Sequence, residues 1–190
     1  MKTTTPYHRR YDPREIIDLL AKIDLHPASE GECETAWTMA ADLISPHVAS
    51  PITFQRMQAR TDASLFVQRH EGRITGITGV LPLNPEGRRA IEQNLFAARN
   101  PPDEFICAPG DSLAAMYPWG FAATTAKAKA AVVLMTLKLR LHFPDIPFFT
   151  RAVTASGAKV VRGRMGYVPF PGAPDDLLWN PVRTSQERAA

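Results

Sequence analysis

Thr124, Thr125, Lys127 and Lys129 stand at the head of a long apolar run. Hydroxyls, ammonium groups and the unpaired N–H groups of a helix start could together hold an anion such as a phosphate. The same threonines also suit plain helix capping. Lys127 and Lys129 are two residues apart and point to different sides of a helix, so at most one of them faces a bound group. Immediately before them, the apolar stretch "YPWGFAA" carries Pro118 and Gly120. Proline has no ladder donor and fits a strand whose neighbour has moved away, and Gly120 allows a bulge or a close backbone approach. Tyr117 and Trp119 share one face of a regular strand, as core packing or as an aromatic wall. Arg151, within "FFTRAVT", reads either as a strand-end arginine paired with a carboxylate or as a bidentate grip on an anionic group.

Several elements must position these residues. Residues 1–12 are basic and polar and read as a loose arm. Pro13 to Ile23 has apolar residues at helical spacing, and Glu32 to Ile44 forms a second helix that stops before Ser45-Pro46. "PITFQRMQA" reads as a strand or a loop, with strand preferred. "ASLFVQRH", a Glu-Gly turn and "ITGITGVLPL" make a hairpin. Asn84 to Ala98 is expected to be helical, "SLAAMYPWGFAA" a strand and Thr124 to Phe143 a long helix. "IPFFTRAVT" is then a strand, "ASGAKVVRGRM" a short helix, and "GYVPF" and "DDLLWNPV" strands, before a polar tail over 183–190. An antiparallel hairpin followed by strand–helix–strand implies one α/β or α+β domain over 13–182, its mixed sheet covered by helices on both faces.

The 190 residues, 45% of them hydrophobic, suffice for one core of ordinary size. No run approaches the roughly 20 apolar residues of a membrane span, and the N-terminus lacks a secretory apolar region, so a cytoplasmic protein is expected. Cys33 and Cys107 have neither metal-site nor redox spacing and read as reduced thiols. A net charge of +3 selects no partner class. The set Arg151, Lys159, Arg162 and Arg164 lacks helix-turn-helix or aromatic-basic context, which argues against nucleic acid.

"HEGRITGITGVLPL", then a strand, a long helix and "FFTRAVTASGAKVVRGRMGYVPF", resembles the GNAT superfamily of acyl-CoA-dependent N-acyltransferases over about residues 62 to 180. Gly166-Tyr167 stands where members end a short helix in Gly-aromatic and enter a strand. The resemblance implies a mostly antiparallel sheet with one splayed parallel pair, and acetyl-CoA or another acyl-CoA as co-substrate lying in the V between those strands. Trp119, Gly120, Phe121 and Ala122 would then polarise the thioester carbonyl. Thr124, Thr125 and one of Lys127 and Lys129 would hold the pyrophosphate, and Tyr117 and Arg151 would meet the substrate. Residues 84 to 110 would form a lid or wall for the acceptor, a small-molecule or peptide amine.

Two departures bear on the chemistry. The family's glycine-bearing phosphate loop is here "FAATTAKAKAAV", without glycine, and the position of its frequent general-acid tyrosine is Arg162. Arginine cannot donate a proton at neutral pH, although it could stabilise a thiolate. Asp111, near a strand start, is the other catalytic candidate; His70, beside a turn, and His142, at a helix end, read as structural. The reading is acyl transfer to an amine by direct attack, with a non-catalytic ligand-binding or interaction module on the same fold as the alternative. A homodimer is compatible with either.

Overall fold

A computed structural model describes residues 9–173 and 176–182. In chain order the elements are β1 (Arg9–Arg10), α1 (Pro13–Ala21), β2 (His26–Pro27), α2 (Glu32–Leu43), α3 (Pro51–Thr61), β3 (Leu65–His70), β4 (Arg73–Leu83), α4 (Pro85–Glu92), β5 (Ser112–Leu113), β6 (Ala115–Ala123), α5 (Ala126–His142), β7 (Phe148–Arg151), α6 (Ala155–Met165), β8 (Val168–Pro169) and β9 (Leu177–Asn180). Three helices open with the same local device. Asp12, Ser50 and Asn84 each cap a helix by accepting from a backbone N–H, and each is followed by proline at the first helical position. Thr125 and Thr154 cap α5 and α6 in the same way without the proline.

That device corrects the expected strand at "PITFQRMQA". Ser50-Pro51 starts a helix there, and Phe54, Met57 and Thr61 form its buried face at helical spacing. The helix expected over Asn84 to Ala98 ends early, at Glu92, and Asn94 takes a left-handed conformation that turns the chain away. The loose arm expected over residues 1–12 is also corrected at its end. Arg9 and Arg10 pair with β5, and Tyr11 is buried with its hydroxyl donating to the Thr61 carbonyl at 2.7 Å. Burying that phenol ring ties the segment to the core. The tail at 183–190 lies outside the described residues.

The main sheet has the order β2-β3-β4-β6-β7-β9-β8, and every pairing in it is antiparallel except β6 with β7. Strand alternation sends side chains to two layers. Phe66, Val80, Met116, Phe148 and Leu178 pack with α1, α5 and α6. Leu65, Val67 and Ile77 meet α2 and α3, while Leu81, Leu83, Tyr117, Phe149 and Leu177 meet α3 and α4. The expected class therefore holds: one mixed, mostly antiparallel sheet with helices on both faces.

One strand breaks its own alternation. The β4–β6 register slips so that Val80 pairs with Pro118 and Gly79 with Gly120, leaving Trp119 as the extra residue of a bulge. Met116 and Phe121 consequently lie on the same layer despite odd spacing, and Tyr117 and Ala122 share the other. Gly120 sits at φ +147°, a conformation side chains resist. A side chain on Gly79 would bring its Cβ within 3.1 Å of the Trp119 Cβ, so glycine there makes room for the bulge.

Candidate functional site

β6 and β7 share a single ladder position, Met116 opposite Phe148, where the Met116 N–H donates to the Pro147 carbonyl at 3.0 Å. At the next step Pro118 has no N–H to offer, and its carbonyl accepts instead from the Thr150 hydroxyl at 3.0 Å. Beyond that point the strands part. The Thr124 N–H bonds the Thr75 carbonyl, so alternation along the antiparallel ladder turns the N–H and C=O groups of Phe121 and Ala123 away from β4. No ladder position of β7 meets them. A parallel pair split by a bulged strand, with the long helix α5 following at once, is the geometry the resemblance implied. The fold is GNAT-like.

Comparison with solved structures finds similar chains at low identity. An acetyltransferase from Corynebacterium glutamicum ATCC 13032, described as "histone acetyltransferase HPA2 and related acetyltransferase", is 17% identical with a TM-score of 0.48, over 84% of this chain and 96% of that one. A GNAT-like decarboxylase, GphF, solved in complex with isobutyryl-CoA, is 18% identical with a TM-score of 0.47, over 80% of this chain and 79% of that one. No family model matches the chain, and no curated protein matches it by sequence.

Two cavities meet at the bulge. The smaller, about 180 Å³, is the split itself, bounded by Gly120 and Phe121 on one side and by Thr150, Thr154, Gly157 and Val160 on the other. The larger, about 460 Å³, lies on the α2–α3 layer, and Ile44, Gly120, Arg151 and Val153 border both. Its walls are apolar, with Val48, Phe54, Leu65, Ile77 and Trp119 prominent. Trp119 meets Phe54 edge-to-face at 5.0 Å and donates its indole N–H to the Ala98 carbonyl at 2.6 Å. Arg56 of α3 holds the same connection from its far side, donating to the Asn100 side chain at 2.7 Å and the Pro101 carbonyl at 3.0 Å and pairing with Asp103. Residues 97–103 are thus pinned as a wall.

Tyr117, Trp119, Gly120, Phe121 and Arg151 come together at these cavities. Burial pushes the Tyr117 phenol above its ordinary range, so it stays a neutral hydroxyl. Arg151 pairs with Asp176 at 2.6 Å and also bonds Asn94, so its charge is already engaged although its side chain borders both spaces. Ala122 is buried beneath α2. The Thr125 hydroxyl accepts from the Ala128 N–H at 3.1 Å as a cap, and the Thr124 hydroxyl donates to the Thr75 carbonyl at 3.2 Å. Lys127 pairs with Asp24 at 2.8 Å and thereby lowers that carboxyl's pKa, while Lys129 is exposed. None of these four residues borders either cavity.

The two catalytic candidates, Asp111 and Arg162, lie elsewhere. Asp111 accepts from the Ala108 N–H at 2.8 Å within the turn that precedes β5, and Arg162 is on the exposed face of α6. His142 pairs with Glu15 at the end of α5, and His70 sits beside Glu71 at the hairpin turn. Both cysteines are buried and free, and burial pushes the Cys107 thiol up to about 12. Sequence reasoning missed Ile44, His47, Phe54 and Arg99. The signal for the Phe54 wall was the Ser50-Pro51 cap; Arg99 and His47 lie in irregular segments, where neither periodicity nor capping marks a position.

Proposed function

We propose that the protein is an acyl-CoA-dependent N-acyltransferase that moves an acetyl or longer acyl group to an amine by direct attack. The observation that carries this reading is the split between β6 and β7, which leaves the backbone edge at Phe121 and Ala123 unpaired by β7 and, at Gly120 and Phe121, borders the smaller cavity that adjoins the larger apolar one. An extended amide-bearing arm fits such an edge, because it can make the hydrogen bonds the absent strand would have made. A thioester supplies an acyl carbon ready for attack. Backbone N–H groups around Gly120 and Phe121 polarise its carbonyl, as fixed donors do when charge develops on oxygen. Tyr117 and Trp119 exclude water from one side. The His47 imidazole, on the wall of the larger cavity, takes the proton that the amine must lose.

A second reading has its own support. The threonine hydroxyls at the head of α5 are engaged within the protein, and Lys127 is paired with Asp24. A site with its phosphate end so occupied favours the non-catalytic binding module. Calorimetric titration with acetyl-CoA, longer acyl-CoAs and free CoA separates the two. Micromolar affinity supports the transferase; a folded protein that binds none of them contradicts it. Among the described residues no helix is long and apolar enough to cross a membrane, and a cytoplasmic site of action is part of the proposal.

A further inference from the structure

We infer that the larger cavity holds the acceptor, and that the acceptor is an apolar amino acid whose carboxylate is read by Arg99. This rests on the transferase reading above. The cavity, at about 460 Å³, is within the usual range for small-molecule sites, and its deep walls are aliphatic and aromatic, which suits a branched or aromatic side chain. Its charged lining is of one sign. Among the described residues, Arg99 and Arg151 border it and no aspartate or glutamate does. Arg151 is neutralised by Asp176, and the nearby Arg56 by Asp103. Arg99 is exposed and makes no hydrogen bond or ion pair with any described residue.

A guanidinium with no partner among the described residues, at the mouth of an apolar cavity, attracts a carboxylate, which it can bind through two parallel hydrogen bonds. It also repels polyamines and lysine-rich peptides, the other ordinary amine acceptors. The position of Arg99 is fixed from both sides. Trp119 holds the Ala98 carbonyl, and Arg56 holds Asn100 and Pro101. The same Trp119 is the bulged residue beside Gly120, so the carboxylate reader and the reaction edge are joined through one side chain. With the carboxylate at Arg99 and the side chain in the apolar cavity, the amine is left for the edge at Gly120. The ammonium first gives one proton to solvent. The neutral nitrogen then bonds the acyl carbon as the carbon–sulfur bond breaks, and its second proton passes to His47. That proton is returned through water to the departing thiolate, which leaves as the thiol of CoA.

The test uses the full chain with acetyl-CoA and follows thiol release with phenylalanine, leucine, their carboxamides, phenethylamine and spermidine. Binding of each amine and of acetyl-CoA is measured separately by calorimetry. The free acids should exceed their carboxamides by about 10- to 100-fold in kcat/KM, the range of a charge-assisted hydrogen bond. Arg99→Gln should erase that preference and leave acetyl-CoA affinity unchanged, and Ala97→Trp, which fills the cavity from its exposed wall, should abolish amino-acid binding with the same affinity for acetyl-CoA. If acetyl-CoA binds but acids and carboxamides perform alike, or spermidine is preferred, the acceptor assignment is overturned and the transferase reading stands. If the acids bind but acetyl-CoA does not, the transferase reading falls and the acceptor role with it.

Discussion

Gly120→Ala places the smallest possible side chain at the bulge, and its cost can be worked from the structure. The new Cβ would meet only the Ile44 Cδ1, at 3.6 Å, an ordinary contact. Steric collision therefore contributes little, and the cost is the backbone conformation, φ +147°, which for an alanine is of order 1–3 kcal/mol. The strand cannot escape by erasing the bulge. Removing the slip would move Phe121 off the α5–α6 layer and Ala122 off the α2 layer, reversing both packings. At about 2–4 °C per kcal/mol for a chain of this size, Tm should fall by roughly 2–12 °C. Gly163→Ala is the control of opposite sign. Gly163 lies inside α6 with open space around it, so alanine should stabilise by about 0.5–1 kcal/mol. Urea denaturation followed by tryptophan fluorescence measures both. A Gly120→Ala variant within 0.5 kcal/mol of wild type would refute the bulge and the split that depends on it.

Other outcomes follow from the same contacts. Thr125→Ala removes the cap on Ala128 and should cost about 1 kcal/mol in thermal or urea denaturation; Lys127→Ala breaks only an exposed pair and should change stability by less than about 0.5 kcal/mol. Arg69, bonded at 2.7 Å, holds the Glu32 carboxyl at about 2, against an ordinary value near 4.5. Because the folded value is the lower one, this stabilisation is complete above about pH 4.5 and is lost as pH falls towards 2. Glu32→Gln should therefore flatten the Tm-versus-pH curve in that window and lie below wild type above it. His47→Gln should lower kcat without changing the affinity for acetyl-CoA measured by calorimetry.

The sequence was most legible where physics acts locally. Alternation gave β3 and β4 their hairpin, and the small C-terminal helix was bounded by Thr154 and Gly166, a cap residue and a glycine at φ +69°. Pro118 and Gly120, two poor strand residues in an apolar run, marked the split and the bulge. The same local reasoning fails at α3, which it reads as a strand although Ser50-Pro51 carries the helix start. The polar residues heading α5 read both as caps and as an anion site, and their hydroxyls close the helix and the adjoining strand. Arg99 and His47 reach the cavity only through long-range anchoring, by Trp119 and Arg56 in the first case and by the packing of α2 in the second. No spacing rule along the chain encodes such anchoring.

Backbone amide resonances on addition of acetyl-CoA test the central claim most directly. The account predicts saturable shifts concentrated at Phe121, Ala123 and Gly157, the exposed edge of β6 and the facing turn of α6, with the Ala90 amide of α4 unmoved. Saturable shifts that spare Phe121 and Ala123, or none at millimolar acetyl-CoA in a folded sample, would contradict it.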